Sequence, residues 1–196
     1  MLKRIFDICF STVVLVLLFP VFIIIAIWIK FDSKGPVFFR QTRVGKDACE
    51  FKIFKFRTMV ERSDPDLQLT VSGDSRITNS GRFLRKYKFD ELAQFLNVLL
   101  GDMSIVGPRP EVPKYVACYS DEEKKKIFSI RPGITDKASL KFRNENDLLD
   151  ASTNPEQTYI KEILPIKIKY YLEYVNSHSF AGDLYLILRT FLNVFK

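Results

Sequence analysis

The feature that most constrains this chain is an uncharged run over residues 8–29, in which only Ser11 and Thr12 are strongly polar. Such a run is too long for an ordinary core helix and about right for a membrane segment. It does not read as a secretory signal, because the apolar stretch is overlong and no small-x-small pattern precedes Lys30. Lys3 and Arg4 flank one end; Lys30, Lys34, Arg40 and Arg43 flank the other. Basic residues favour the cytoplasmic side, so a simple crossing would put one cationic flank on the wrong side. Pro20, in the middle of the run, removes a backbone donor and crowds the preceding turn, which predicts a kink. Two arrangements follow. A re-entrant helix bends near Pro20 and returns both flanks to the cytoplasm; a single-pass anchor tolerates the proline and crosses.

The remaining sequence suits one further unit, so the chain divides into a membrane element, 1–32, and a single domain, 33–196. A net charge of +7 suits an anionic membrane surface or a phosphate-rich ligand. Cys9, Cys49 and Cys118 are too scattered for a disulfide framework or a zinc pattern. With His178 as the only histidine, any metal is expected to be held by oxygen.

The sequence predicts an α+β fold, mostly helical, with one β-hairpin. Strands at 37–44 and 49–56 flank a turn at Gly45-Lys46-Asp47. On the second strand Phe51, Ile53, Lys55 and Arg57 share a face, so Lys55 and Arg57 either meet an anion together or are solvated. Residues 61–75 read as loop, and Ser80 as the cap of a short helix over 81–86. Asp90 then reads as the N-cap of a helix whose Leu92, Phe95, Leu96 and Leu99 recur at helical spacing before Gly101. An extended segment is predicted over 137–143 and a loop over 144–154. Pro155 and Pro165 mark helix starts, and the amphipathic segment 183–195 either packs inward or lies at the lipid interface.

Chemistry concentrates between Arg76 and Pro110. Arg76, Arg82, Arg85, Lys86 and Lys88 come with no acid among them, and Asp90-Glu91 follows. A carboxylate at a helix start is ordinarily a cap, but held among cations it can also act as a nucleophile towards phosphorus. Its approach to a diphosphate needs charge offset by arginines or by a divalent ion on oxygen ligands, where Glu91 can assist. Pro108-Arg109-Pro110 fixes the backbone on both sides of one arginine. That either lowers the entropy lost when the guanidinium grips a ligand or makes a rigid surface loop.

The order of motifs resembles the bacterial sugar transferase family, the monotopic polyprenyl-phosphate phosphoglycosyl transferases. The carrying residues are Lys3-Arg4-Ile5-Phe6-Asp7, Gly35-Pro36-Val37-Phe38-Phe39-Arg40-Gln41, Arg43-Val44-Gly45 and Phe54-Lys55-Phe56-Arg57-Thr58-Met59. They continue through Arg76-Ile77-Thr78, Gly81-Arg82-Phe83-Leu84-Arg85-Lys86, Asp90-Glu91-Leu92, Gln94, Asn97-Val98-Leu99 and Gly101-Asp102-Met103-Ser104. Val106-Gly107-Pro108-Arg109-Pro110 and Arg131-Pro132-Gly133-Ile134-Thr135 close the series.

The resemblance implies a re-entrant helix kinked at Pro20 and a small catalytic domain with interfacial amphipathic helices, on the cytoplasmic face of a bacterial inner membrane. It implies that Asp90 attacks the sugar-linked phosphate of a UDP-sugar, releasing UMP, and that polyprenyl (undecaprenyl) phosphate then takes the phosphosugar in the first membrane step of surface glycan assembly. Asp90 and Glu91 would form the catalytic dyad and hold Mg2+. Pro108, Arg109 and Pro110 are implied at the nucleotide, and Lys55, Arg57 and Arg85 at phosphate. Membrane lipid is an implied partner and nucleic acid is not; a homodimer is compatible with the pattern. Two departures stand out: Phe19 precedes Pro20 where relatives often carry serine, and Asp136-Lys137-Ala138 stands where many continue Gly-Trp-Ala. The chain resembles a minimal catalytic form, without the extra transmembrane helices of larger relatives. Two rival readings are a membrane-anchored binding module for phospholipid or nucleic acid, and a metal-dependent phosphohydrolase using the same dyad.

Overall fold

A computed structural model describes residues 1–60, 74–143 and 145–194; most of the loop expected over 61–75 lies outside these. Helix α1 (Leu2–Asp32) runs through Pro20 as one helical element, with Pro20 exposed. Val16, Leu17 and Phe19 are 63–71% exposed, so the middle of α1 presents apolar surface that the domain does not cover.

Both ends of α1 are fastened to the same domain. Near its start, the Arg4 guanidinium donates to the carbonyls of Val98 (2.6 Å) and Leu99 (3.2 Å), at the end of helix α3 (Gln94–Leu100). These carbonyls are among the last of the helix, where intrahelical donors run out; that of Val98 also accepts from the Gly101 amide (3.2 Å). The buried Asp7 carboxylate accepts from Ser104 Oγ (2.8 Å) and the Ile105 amide (3.2 Å). At the far end Ile25 and Ile29 join a core cluster with Phe56, Leu84 and Ala93. Asp32 accepts from both the amide and the hydroxyl of Ser80, each at 2.8 Å.

The hairpin forms as expected. Strands β1 (Phe38–Val44) and β2 (Glu50–Phe56) pair antiparallel from Phe38↔Phe56 to Val44↔Glu50. Helix α2 (Asn79–Lys86) is capped by Thr78, whose hydroxyl accepts from the Gly81 amide, rather than by Ser80, whose hydroxyl is taken by Asp32. Beyond α3 come strand β3 (Ser104–Val106), helices α4 (Pro113–Val116) and α5 (Asp121–Ile127), and strand β4 (Gly133–Thr135). A second, parallel two-stranded sheet joins Ser104 to Gly133 and Val106 to Thr135, a pairing that the sequence reading lacks. It depends on glycine: a Cβ on Gly133 would lie 2.1 Å from the Gly107 nitrogen.

Helix α6 (Lys137–Lys141) replaces the expected extended segment, because Asp136 caps it by accepting from the amides of Ala138 (2.6 Å) and Ser139 (3.1 Å). Helix α7 (Glu145–Asp150) occupies part of the expected loop, with Leu149 buried in the core. Helix α8 (Pro155–Thr158) continues through a wide turn, Tyr159–Ile163, into α9 (Leu164–Ser177), and both prolines sit in first turns as expected. Helix α10 (Phe180–Val194) packs by Leu186 and by buried Asp183, which accepts from Lys3 Nζ (2.5 Å) and Tyr174 Oη (2.7 Å). Its opposite face leaves Leu184, Tyr185, Leu188, Phe191 and Leu192 exposed. The amphipathic segment therefore both packs and retains an apolar outer face.

Candidate active site

Helix α2 ends at Lys86, and Lys88 adopts a left-handed conformation (φ 58°) that opens a 3-10 turn, Phe89–Ala93, leading directly into α3. Lys88, not Asp90, is thus the residue before the turn, and Asp90 caps nothing with its side chain. This corrects the expected N-cap: the turn begins one residue before the carboxylate, so helical spacing alone misplaces the boundary. Freed from capping, Asp90 is only 8% exposed, and its Oδ1 has no protein partner among the described residues.

Glu91 has the opposite environment. It accepts from Lys55 Nζ of β2 at 2.8 Å, from Arg109 Nη1 at 3.2 Å, and from Arg109 Nη2. Burial alone would raise the Glu91 pKa, but the Arg109 and Lys55 charges overcome it and hold the carboxyl well below the usual range. For Asp90 burial prevails and pushes the pKa up, although Lys55, Arg85 and Lys88 oppose it. Adjacent carboxyls are thereby driven apart, the pattern expected where two acids have different tasks.

The second sheet delivers Arg109. Gly107 donates to the Thr135 carbonyl (3.1 Å), Gly133 donates to that of Pro108 (2.9 Å), and Arg43 Nη1 donates to that of Pro110 (3.0 Å). With Pro108 and Pro110 fixing φ on either side, Arg109 is directed at Glu91 from a braced loop. Arg85 lies near Asp90, its Nε donating to Thr58 Oγ1 (2.9 Å). Arg57 goes elsewhere. Its amide bonds the Val37 carbonyl, and its guanidinium donates to the carbonyls of Ser33 (2.8 Å) and Lys34 at the end of α1. It braces α1 instead of joining Lys55, because β2 ends at Phe56 and the two-residue period stops there.

Sequence reasoning assigned no role to Gln94, which is 1% exposed with neither amide atom partnered by protein among the described residues. Its place one turn after Asp90 was the available signal. A buried amide without partners is costly, so it marks room for a polar guest. No cluster of three or more His, Cys, Asp or Glu side chains occurs among the described residues. A divalent ion would therefore rely on one or two carboxylates and on the ligand's own oxygens, as magnesium commonly does.

Glu91 and Arg109 open onto a cavity of about 530 Å3, within the usual range for small-molecule sites. Lys86 and Lys88 add charge to its wall, while Phe10, Val14 and Leu18 of α1 and Ile187 and Phe191 of α10 add apolar surface. Asp90 does not line this cavity. A ligand with an anionic head and an apolar tail finds both chemistries in one space.

Over residues 1–196 the chain matches the sequence model of the family described as bacterial sugar transferase. It is 37% identical over 204 residues to the UDP-glucose:undecaprenyl-phosphate glucose-1-phosphate transferase of Escherichia coli K12, covering 100% of this chain and 40% of that protein. A Caulobacter vibrioides protein of the same description is 37% identical, over 96% of this chain and 67% of the relative. The UDP-N-acetylgalactosamine-undecaprenyl-phosphate N-acetylgalactosaminephosphotransferase of Aeromonas hydrophila is 35% identical, over 96% and 42%. The chain spans about two-fifths of the length of the Escherichia coli and Aeromonas relatives. Because the family match runs from the first residue to the last and the relatives align over nearly all of it, this chain belongs to the bacterial sugar transferase family.

Proposed function

We propose that the chain transfers a sugar-1-phosphate from a UDP-sugar to polyprenyl (undecaprenyl) phosphate at a membrane surface. The observation that carries this reading is the contrast within the dyad. Glu91 is locked by two cations, whereas Asp90 keeps a buried oxygen, Oδ1, that no protein group holds among the described residues. The unheld oxygen is the nucleophile. An Asp90 oxygen attacks the phosphorus that bears the sugar; the bond from that phosphorus to the bridging oxygen breaks, and its electron pair leaves with UMP. An oxygen of the polyprenyl phosphate then attacks the same phosphorus, and the Asp90–phosphorus bond breaks to restore the carboxylate. Arg109, Lys55 and Lys88 supply the positive field in which two anions approach each other.

A hard divalent ion such as Mg2+ would be held by the Asp90 carboxylate, whose Oδ1 has no protein partner among the described residues; Glu91 would join it only by loosening Lys55 or Arg109. Such an ion, when bound, neutralises charge on the diphosphate. The named relatives act on UDP-glucose and UDP-N-acetylgalactosamine, so these donors head the search for this chain's own.

Placement at the membrane follows from α1. A straight helix of 31 residues spans roughly 46 Å at 1.5 Å per residue, enough to carry its ends to opposite faces of a bilayer. Here Arg4 and Asp7 at one end and Ile29 and Asp32 at the other engage one domain, which favours a re-entrant path with both basic flanks on the cytoplasmic side. In a UMP-release assay with detergent-solubilised protein, a UDP-sugar panel and undecaprenyl phosphate, Asp90→Asn is expected to abolish turnover. Undiminished turnover by that variant would remove the nucleophile, and equal UMP release without the lipid would make the protein a phosphohydrolase.

A further inference from the structure

The cavity has a second polar wall, away from the dyad, that the transfer chemistry leaves unused. Lys167 of α9 is 4% exposed, in a helix whose neighbouring Leu164, Ile168 and Tyr171 are core residues. Its ammonium lies 2.5 Å from Glu145 Oε2 at the start of α7 and donates to Tyr159 Oη at 3.4 Å, above the Tyr159 ring. Tyr159 in turn donates to Glu111 at 2.5 Å, so the ammonium is held from behind by a bonded chain. Lys167 and Glu145 both line the cavity that Glu91 and Arg109 line.

A buried ion pair contributes little stability compared with apolar side chains of the same volume, so packing gives no reason for it here. Its bonding capacity is also incompletely used. Among the described residues the ammonium, with three protons, has two hydrogen-bond partners, and the carboxylate has about four lone-pair sites. The pair is neutral overall. It therefore does not compete with Arg109 and Lys88 for phosphate, and suits an uncharged ligand part that both donates and accepts hydrogen bonds. A pyranose hydroxyl does both, and Leu140 and Phe142, which also line the cavity, offer apolar surface to a sugar's C–H face.

We infer that the Lys167–Glu145 pair is the subsite that reads the hydroxyls of the donor's sugar. This rests on the phosphoglycosyl-transfer reading above. With the sugar-bearing phosphorus at the dyad, the sugar extends into the space between the dyad and the pair, and the pair discriminates between donors by the hydroxyl arrangement it can satisfy.

The test compares the wild type, Lys167→Met and Glu145→Gln in UMP release with undecaprenyl phosphate and a panel of UDP-glucose, UDP-galactose and their N-acetylamino counterparts. UMP itself serves as a product inhibitor. Losing one charge-assisted hydrogen bond should shrink the kcat/KM ratio between best and worst donor by about 10- to 100-fold, with UMP inhibition unchanged. A uniform loss across all donors, with the ratio intact, would reduce the pair to a structural brace. Weakened UMP inhibition would move it to the nucleotide. If Lys167→Met lacks a cooperative thermal transition, Glu145→Gln, which keeps the shape and one acceptor, decides the matter. A wild type that releases no UMP from any donor would instead fail the transfer reading, and is distinct from all of these outcomes.

Discussion

Asp90 and Glu91 are neighbours in the chain, yet burial acts on them to opposite ends because only Glu91 has cations within bonding distance. Burial raises the folded-state pKa of Asp90, so its stabilising share is present below the unfolded value and is lost as pH rises through the folded one. Above that value burial of Asp90 is therefore a cost, and Asp90→Asn should raise the thermal midpoint while ending turnover, the gain shrinking as the pH falls towards the ordinary carboxylate range. Glu91 is depressed in the folded state by Arg109 and Lys55, which outweigh its own burial. Its stabilising share is present above the unfolded pKa and is lost as pH falls through the folded one. Glu91→Gln leaves two half-buried cations short of charge and should cost about 1–3 kcal/mol at pH 7.5, below the range for a fully buried pair. Unfolding of both variants in detergent across pH 4–8 checks the pair of signs. Equal destabilisation by both would mean that Asp90 is held by partners as firmly as Glu91.

At the scale of elements, local patterns foretold what local patterns build. The uncharged run became α1, and period-two alternation around a glycine-containing turn became the hairpin. The β3–β4 pair was not legible, since each strand has three residues and their pairing depends on two glycine backbones meeting across a long separation. Arg57 was misplaced for a related reason: the strand period was carried one residue past the end of β2. Asp90, Glu91, Lys55 and Arg109 came together as their motifs implied, while Gln94 escaped because its spacing from Asp90 takes on meaning only once its burial is known. The sheet that sequence missed is what aims Arg109. Gly133→Ala would place a Cβ 2.5 Å from the Gly107 oxygen and 2.1 Å from its nitrogen, with backbone on both sides and nothing flexible to yield. A loss of about 1–3 kcal/mol in denaturant stability is expected, together with a fall in kcat, as the Pro108–Pro110 loop shifts and the bonds from Arg109 to Glu91 lengthen. Normal turnover by a destabilised Gly133→Ala would separate the sheet from the site.

For the whole molecule the question is how one long apolar helix can stay exposed along its middle and still line the cavity of the candidate site. The anchors of α1 answer it. Arg4 closes the end of α3, Asp7 holds β3, and Asp32 holds the start of α2, so neither end can leave the domain without breaking polar contacts, those of Asp7 buried and the others part-buried. A spanning path would require one set to break or the domain to enter the hydrocarbon, where its charged surface is costly. The proposed re-entrant path would keep all three, and the exposed Val16, Leu17 and Phe19 would then be the surface that meets acyl chains. On the proposed re-entrant path Pro20 would aid a bend, because its missing N–H removes the helical donor for the Val16 carbonyl. In sealed vesicles, an amine-reactive and membrane-impermeant label should modify Lys3 and Lys34 from the same side. Modification from opposite sides would make α1 a spanning helix, and would require the Arg4 and Asp32 contacts to be mutually exclusive. Replacing Pro20 with leucine restores the helical donor and weakens the bend, so the fraction labelled from opposite sides should rise above that of the wild type. With the label pattern unmoved by Pro20→Leu, the polar anchors alone would account for the return of the helix.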